Sequence, residues 1–164
     1  MILTMVHIIN QFFAGLGGED KADAPVGVLE GASGAALGLQ AQIGDQAQIV
    51  ATLFCGDNYF NDHPEEAKAA ILHEVRSRHP QVIVVGPAFS SGRYGLACVE
   101  ICQTLADSLG IHCITAMHPQ NPAVATYCHH HNPKVYLLPT AETAAGMTEA
   151  LAALAPFALR LGGG

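Results

Sequence analysis

Residues 86–98, with the sequence GPAFSSGRYGLAC, follow an apolar run and enter a pattern typical of a helix. Ser90 or Ser91 is expected to cap this helix, so that unpaired amides of its first turn point outward. Gly92 lets the backbone approach a ligand closely, and the planar guanidinium of Arg93, one of only four arginines, suits a carboxylate or a phosphate. We therefore predict that this turn binds a small anion. The alternative is an ordinary capped helix with a solvated arginine.

Polar side chains also follow three other apolar runs of the chain. Asn10 and Gln11 follow the first run, Asp57 and Asn58 the second, and His118 comes after the fourth. Because ligands bind outside the carboxyl ends of the strands in an open parallel sheet, we expect these side chains to meet at one edge. Ordinary loop composition is the alternative. The chain has no GK[ST] motif and no GxGxxG after its first strand, which argues against a nucleotide ligand.

Cysteine and histidine residues offer weaker signals. Cys55 ends the second apolar run, where its thiol could face the site, but the neighbouring Asp57 disfavours a thiolate. A small buried hydrophobe is an equally good interpretation of Cys55. Cys98 and Cys102 share one helix face and are expected to pack in the core rather than bind a metal. In the run CHHH at residues 128–131, at most two side chains could join one site, and we predict no intrinsic metal.

The elements that must position these residues alternate between apolar runs and helical patterns, which is typical of an α/β fold with a parallel sheet. Strands are predicted at residues 3–9, 48–54, 81–85, 112–116 and 135–138, and helices near 33–43, 64–78, 93–109, 122–131 and 143–160. Residues 14–31, rich in Gly and Ala, are interpreted as a long functional loop. The predicted fold is a three-layer Rossmann-like or flavodoxin-like domain with a mostly parallel five-stranded sheet, spanning residues 1–164 as one domain.

Composition limits the classes of partner. Charged residues make up only 13% of the chain, which favours a surface partly covered by another subunit, in a homo- or hetero-oligomer. A net charge of −7 with seven Lys plus Arg argues against nucleic acid. No apolar run is expected to reach the roughly 20 residues of a membrane span, and MILTMVHIIN is interpreted as a strand rather than a signal peptide. Five irregularly spaced cysteines then favour a cytoplasmic protein with reduced thiols.

Four stretches, taken in order, resemble the N-terminal part of the selenoprotein B component of glycine, sarcosine and betaine reductases. They are INQFFAGLGGEDKAD from Ile9, IVATLFCGDNYF from Ile49, GPAFSSGRYGLAC from Gly86 and AAGMTEAL from Ala144. The resemblance implies a reductase component that binds a small carboxylate-bearing amino acid or betaine for reductive C–N cleavage. It also implies that recognition of the substrate or of a partner subunit uses Asn10, Gln11, Asp57, Asn58, Ser90, Ser91 and Arg93.

In the family that the chain resembles, a selenocysteine from a later motif attacks the α-carbon, and a pyruvoyl-bearing partner engages amine substrates. This chain contains no selenocysteine and no C-x-x-C, and Gln120 stands where an acidic residue is expected. We therefore expect no intrinsic cofactor, with the selenol or thiol and the pyruvoyl group on other domains or subunits. The chain is expected to be a fragment, half of a split enzyme or a shortened relative, incomplete as a reductase alone. The alternatives are a non-catalytic assembly module and a selenium-free relative in which Cys55 is the nucleophile.

Overall fold

The computed structural model describes residues 2–129 and 132–163. The strands are β1 (Leu3–Asn10), β2 (Gly27–Glu30), β3 (Ala47–Cys55), β4 (Val82–Phe89), β5 (His112–Met117) and β6 (Val135–Pro139). The helices are α1 (Ala35–Ile43), α2 (Asp57–Asp62), α3 (Pro64–Arg78), α4 (Gly92–Leu109), α5 (Ala123–His129) and α6 (Met147–Gly163). Short 3₁₀ turns cover Glu19–Lys21, Gly44–Gln46 and Ala144–Gly146.

The strands form one mixed sheet in the order β2-β3-β1-β4-β5-β6. Five of them are mutually parallel, and β2 pairs antiparallel with β3 at the edge. Without β2, the order is that of flavodoxin-like folds, with the first strand between the second and third. The α/β class is therefore confirmed, but the prediction of a five-stranded sheet is wrong because the sheet has a sixth, antiparallel strand.

Strand β2 lies inside residues 14–31, for which the sequence predicts a loop. It has only four residues, GVLE, and begins with a glycine, which weakens any strand pattern. The structure explains this glycine, because a Cβ atom on Gly27 would overlap the ring of Phe54 on the neighbouring strand. The glycine that makes β2 hard to predict from the sequence is therefore required for packing between two strands.

The two faces of the sheet carry separate hydrophobic cores. Helices α1 and α6 cover one face through residues such as Leu39 and Leu154. Helices α2, α3, α4 and α5 cover the other face, where Ile71, Cys98 and Cys102 are buried. The prediction that the two cysteines of α4 pack in the core is thus confirmed, since neither is accessible to solvent.

The last helix contradicts the expectation that no apolar run is long enough for a membrane span. Residues Ala144–Gly163 form the one stretch in the described part of the chain that is long and apolar enough to cross a membrane by length and composition. In the structure, α6 packs Leu151, Leu154 and Ala158 into the core beside α1. The expectation that the protein does not enter a membrane stays a prediction.

Local signals placed most helices correctly. Helix α3 begins at Pro64, with Glu65 and Glu66 in its first turn. Helix α4 ends before Gly110, whose φ of +66° is the left-handed conformation that glycine adopts most easily. The predicted helix at 122–131 corresponds to α5, and residues 130 and 131 lie outside the described part of the chain.

Candidate functional site

A cavity lies at the carboxyl edge of the sheet, where the strand order reverses. Strand β1 has β3 on one side and β4 on the other, so the chain moves away from β1 in opposite directions. Ligands of doubly wound sheets bind at such switch points. The cavity there has a volume of about 460 Å³ and is lined by residues that follow β1, β3, β4 and β6. Among the predicted site residues, those in the lining are Asn10, Gln11, Asp57, Ser90 and Ser91.

The turn after β1 is tied to the start of α2. The side-chain amide of Asn10 donates to Oδ2 of Asp57 at 3.1 Å, while its Oδ1 accepts the backbone N–H of Phe13 at 3.0 Å. Oε1 of Gln11 accepts the backbone N–H of Asp57 at 3.1 Å. The Asn10 amide thus contacts the Asp57 carboxylate, while Gln11 holds the backbone of the same residue.

The loop before β2 also packs on the start of α2. The N–H of Gly56 donates to the carbonyl of Ala24, and the N–H groups of Asn58 and Tyr59 both donate to the carbonyl of Ala22. A Cβ atom on Gly56 would overlap that Ala22 carbonyl. Glycine is therefore required by the close approach of another backbone segment. No special backbone conformation requires it, since Gly56 has an ordinary φ of −66°.

The start of α4 differs from its predicted capping. Ser91 occupies the N-cap position, but its side chain makes no capping hydrogen bond, and Oγ of Ser90 donates to the carbonyl of Glu142 at 2.8 Å. The prediction of a serine side-chain cap is therefore wrong. Instead, the buried amide of Asn121 donates to the carbonyls of Phe89 and Ser91, at 3.0 Å each, and fixes the turn.

Five predicted site residues lie outside the cavity lining in the structure, namely Cys55, Asn58, Gly92, Arg93 and His118. Arg93 donates to Oδ1 of Asn58 and forms an ion pair of 3.2 Å with Glu19. Gly92 and Arg93 line a neighbouring groove between α4 and α5. Nδ1 of His118 accepts the N–H of Gln120 at 3.2 Å. The structure thus brings Arg93 close to the cavity, but its guanidinium is already bound by two side chains.

Burial sets the electrostatics of the two titratable groups after β3. Asp57 is only 8% exposed, and this burial raises the pKa of its carboxyl, opposed by the bond from Asn10 and the charge of Arg93. Burial, and then the charge of Asp57, raises the pKa of the Cys55 thiol to about 12. A thiol with such a pKa holds its proton at neutral pH, so this environment does not favour Cys55 as a nucleophile.

The cavity also contains residues that the sequence did not suggest. Phe12, Phe13, Phe89 and Tyr94 form an aromatic wall, and Glu19 and the segment 142–144 contribute to the rim. The segment 142–144 follows β6, so applying the strand-end argument to this last strand would have pointed to it. The aromatic residues carry no such signal, because an aromatic side chain after a strand is equally typical of core packing.

Metal binding has no support in the described residues, where no group of three or more His, Cys, Asp or Glu side chains could hold an ion. His129 belongs to α5, but His130 and His131 of the CHHH run lie outside the residues that the structure describes. The expectation that the chain holds no intrinsic metal therefore stays a prediction.

The fold and the site define a doubly wound α/β protein with a ligand-sized cavity at its topological switch point. The sequence model of the family "Glycine/sarcosine/betaine reductase selenoprotein B" matches residues 2–164, and the chain belongs to this family. This confirms the resemblance found in its motifs. No solved structure matches the chain.

Relatives of this chain are named as subunits of three reductase complexes. It is 43% identical over 158 residues to the glycine reductase complex component B subunit gamma of Peptoclostridium litorale, covering 96% of this chain and 35% of the relative. It is 39% identical to the sarcosine reductase complex component B subunit beta of Peptoclostridium acidaminophilum, with the same coverage of 96% and 35%. It is 33% identical to the betaine reductase counterpart of that organism, covering 93% of this chain and 34% of the relative. The chain spans about a third of the length of the curated relatives it matches.

Proposed function

We propose that this chain is the substrate-binding part of a glycine, sarcosine or betaine reductase-like complex. It binds a small carboxylate-bearing amino acid or betaine in the cavity between the ends of β1 and β4. The observation that carries the proposal is the meeting of Asn10, Gln11, Asp57, Ser90 and Ser91 at the switch point of a member of this family.

The substrate carboxylate is placed at the start of α4. The exposed hydroxyls of Ser90 and Ser91 border the cavity there, beside the first-turn amides of an 18-residue helix. Such a helix start favours a negative group. Arg93 can reach the same carboxylate once it releases Glu19, and an exposed ion pair of this kind contributes little stability.

In this proposal, the nucleophile for C–N cleavage comes from outside this chain. The selenol or thiol, and a pyruvoyl group where one is used, belong to another domain or subunit. The chain binds and orients the substrate, and its partners are the other subunits of a cytoplasmic complex. The four buried cysteines and the exposed Cys128 are all unpaired, which fits a reducing compartment.

Binding to the full chain tests the proposal. Glycine, sarcosine, betaine and proline are titrated by calorimetry or ligand-detected NMR, and we expect saturable binding of at least one. Ser91→Trp fills the cavity mouth without removing a capping bond, and should weaken that binding at least tenfold. Ser77→Trp is the matched control, because Ser77 is exposed near the end of α3, away from the cavity. If none of the four compounds binds, or if Ser91→Trp binds like the control, the proposal is wrong.

A non-catalytic assembly module is the second candidate. The observation that favours it is the partly exposed Leu96 on α4, which borders an apolar groove with Pro122 and Ala123. This hypothesis predicts that the chain is an oligomer, as measured by size exclusion with light scattering, and that it binds none of the four small acids.

A further inference from the structure

The charge of the cavity wall is negative. Glu19, Asp57 and Glu142 line it, and no lysine, arginine or histidine is among the described residues that do. Arg93 lies outside this lining, bound to Asn58 and Glu19. An anion that entered the interior of the cavity would therefore meet carboxylates, while a cation would meet groups of opposite charge.

Asp57 is the acidic group placed to act on a ligand inside the cavity. It is 8% exposed, and Asn10 and Gln11 hold it at the start of α2. Burying a carboxylate is unfavourable unless an opposite charge or hydrogen bonds compensate it. Side-chain hydrogen bonding with Asn10 and Gln11 and the charge of Arg93 compensate it only in part, since burial still leaves the pKa of Asp57 raised. A cationic ligand group beside Asp57 would supply the missing charge.

Aromatic rings form the remainder of the interior. Phe13 contacts Phe12, Phe89 and Tyr94, with ring centroids 5.5, 6.1 and 6.0 Å apart, so these rings make one continuous surface. Ring faces attract ammonium groups, and quaternary ammonium compounds are recognised by sites of this kind. The volume of about 460 Å³ leaves room for a methylated ammonium group.

We propose that the cavity interior binds the cationic end of a small amine or quaternary ammonium compound, with Asp57 as its counter-ion and the Phe12–Phe13–Phe89–Tyr94 surface as its wall. This inference rests on the proposed function and extends it, because it assigns the amino end of the substrate to the interior and leaves the carboxylate to the start of α4. Asp57 then sets the preference for a cation, and the rings set the tolerance for methyl groups.

Tetramethylammonium and acetate, which each represent one end of a betaine, are the probes. Each is titrated into the full chain by ligand-detected NMR at pH 7.5. We expect tetramethylammonium to bind and Asp57→Asn to weaken it at least tenfold, because the amide keeps the shape of the side chain and removes the charge. Asp62→Asn removes the same charge from the exposed end of the same helix and should leave binding unchanged. Absence of tetramethylammonium binding, or equal effects of the two variants on it, would overturn the inference.

A second variant keeps the test decisive if Asp57→Asn does not fold by circular dichroism. Phe12 is 59% exposed, so Phe12→Ala should fold normally and weaken tetramethylammonium several-fold more than it weakens methylammonium. An equal effect on both ions contradicts the aromatic wall.

The two proposals can fail separately. Saturable binding of glycine or betaine without any binding of tetramethylammonium retains the proposed function and refutes the cation site. Asp57-dependent binding of tetramethylammonium, with no binding of any amino acid or betaine, retains the cation site and refutes the proposed function.

Discussion

The buried histidine of the central strand predicts a specific loss of stability in acid. His7 lies in β1 with no accessible surface, and its Nε2–H donates to the carbonyl of Gly86 at 2.6 Å. Its Nδ1 atom has no hydrogen-bond partner among the residues that the structure describes, so a proton added there would be buried without an acceptor. Burial accordingly lowers the pKa of His7 from 6.5 to about 4, against the opposing effect of the Gly86 bond.

This difference fixes the sign and the size of the effect. Between pH 6.5 and about 4 the unfolded chain carries a proton on His7 that the folded chain does not. The free energy of unfolding therefore falls as the pH falls through this window, and the His7 contribution is fully present above it. At about 1.4 kcal/mol per pKa unit, the complete loss is about 3 kcal/mol, of which about 2 kcal/mol is reached by pH 5.

The variant His7→Gln isolates this contribution, because glutamine can donate to Gly86 but does not titrate. Urea unfolding is followed by far-UV circular dichroism at pH 7.5, 6 and 5, since the chain has no tryptophan. Between pH 7.5 and pH 5, the unfolding free energy of the wild type should fall by about 2 kcal/mol more than that of the variant. A difference that does not change with pH would refute the reasoning, while other titrating groups cancel in the comparison.

Two further predictions concern the site. Glu19→Gln should raise the affinity of the chain for its substrate several-fold, because it frees Arg93 for the substrate carboxylate. Calorimetry checks this, with Glu149→Gln on α6 as the control, and an unchanged or lower affinity contradicts it. Iodoacetamide should label the exposed Cys128 readily at pH 7.5 but Cys55 very slowly, because burial raises the pKa of Cys55 to about 12. Mass spectrometry of the digested protein measures both rates, and fast labelling of Cys55 would support it as a nucleophile.

The elements that the sequence predicts correctly are specified by local sequence patterns. Strands buried on both faces appear as continuous apolar runs, and α3 and α4 carry their own boundary residues in Pro64 and Gly110. The elements it misses depend on distant contacts. Strand β2 is specified by pairing with β3 and by the ring of Phe54, and α2 begins where the carbonyl of Ala22 accepts two of its N–H groups.

The site shows the same division. Asn10, Gln11 and Asp57 come together because sheet topology alone brings strand ends to one edge, so knowledge of the strand ends predicts their meeting. The partners of Arg93 cannot be predicted in this way. Asn58 is 35 residues away and Glu19 is 74 residues away along the chain, and neither separation leaves a pattern in the sequence.

The charge that faces the ligand depends on the rotation of one helix. Successive residues of an α-helix point about 100° apart, so neighbours in the sequence need not face the same site. Ser91 and Tyr94 of the α4 start line the cavity, while Arg93 lines the outer groove with Leu96. In the proposed binding mode, the substrate carboxylate therefore lies at the border of the cavity, near Arg93 and its partners Asn58 and Glu19. The interior, with Asp57 and the aromatic rings, is then left for the substituted ammonium group at the other end of the proposed ligand.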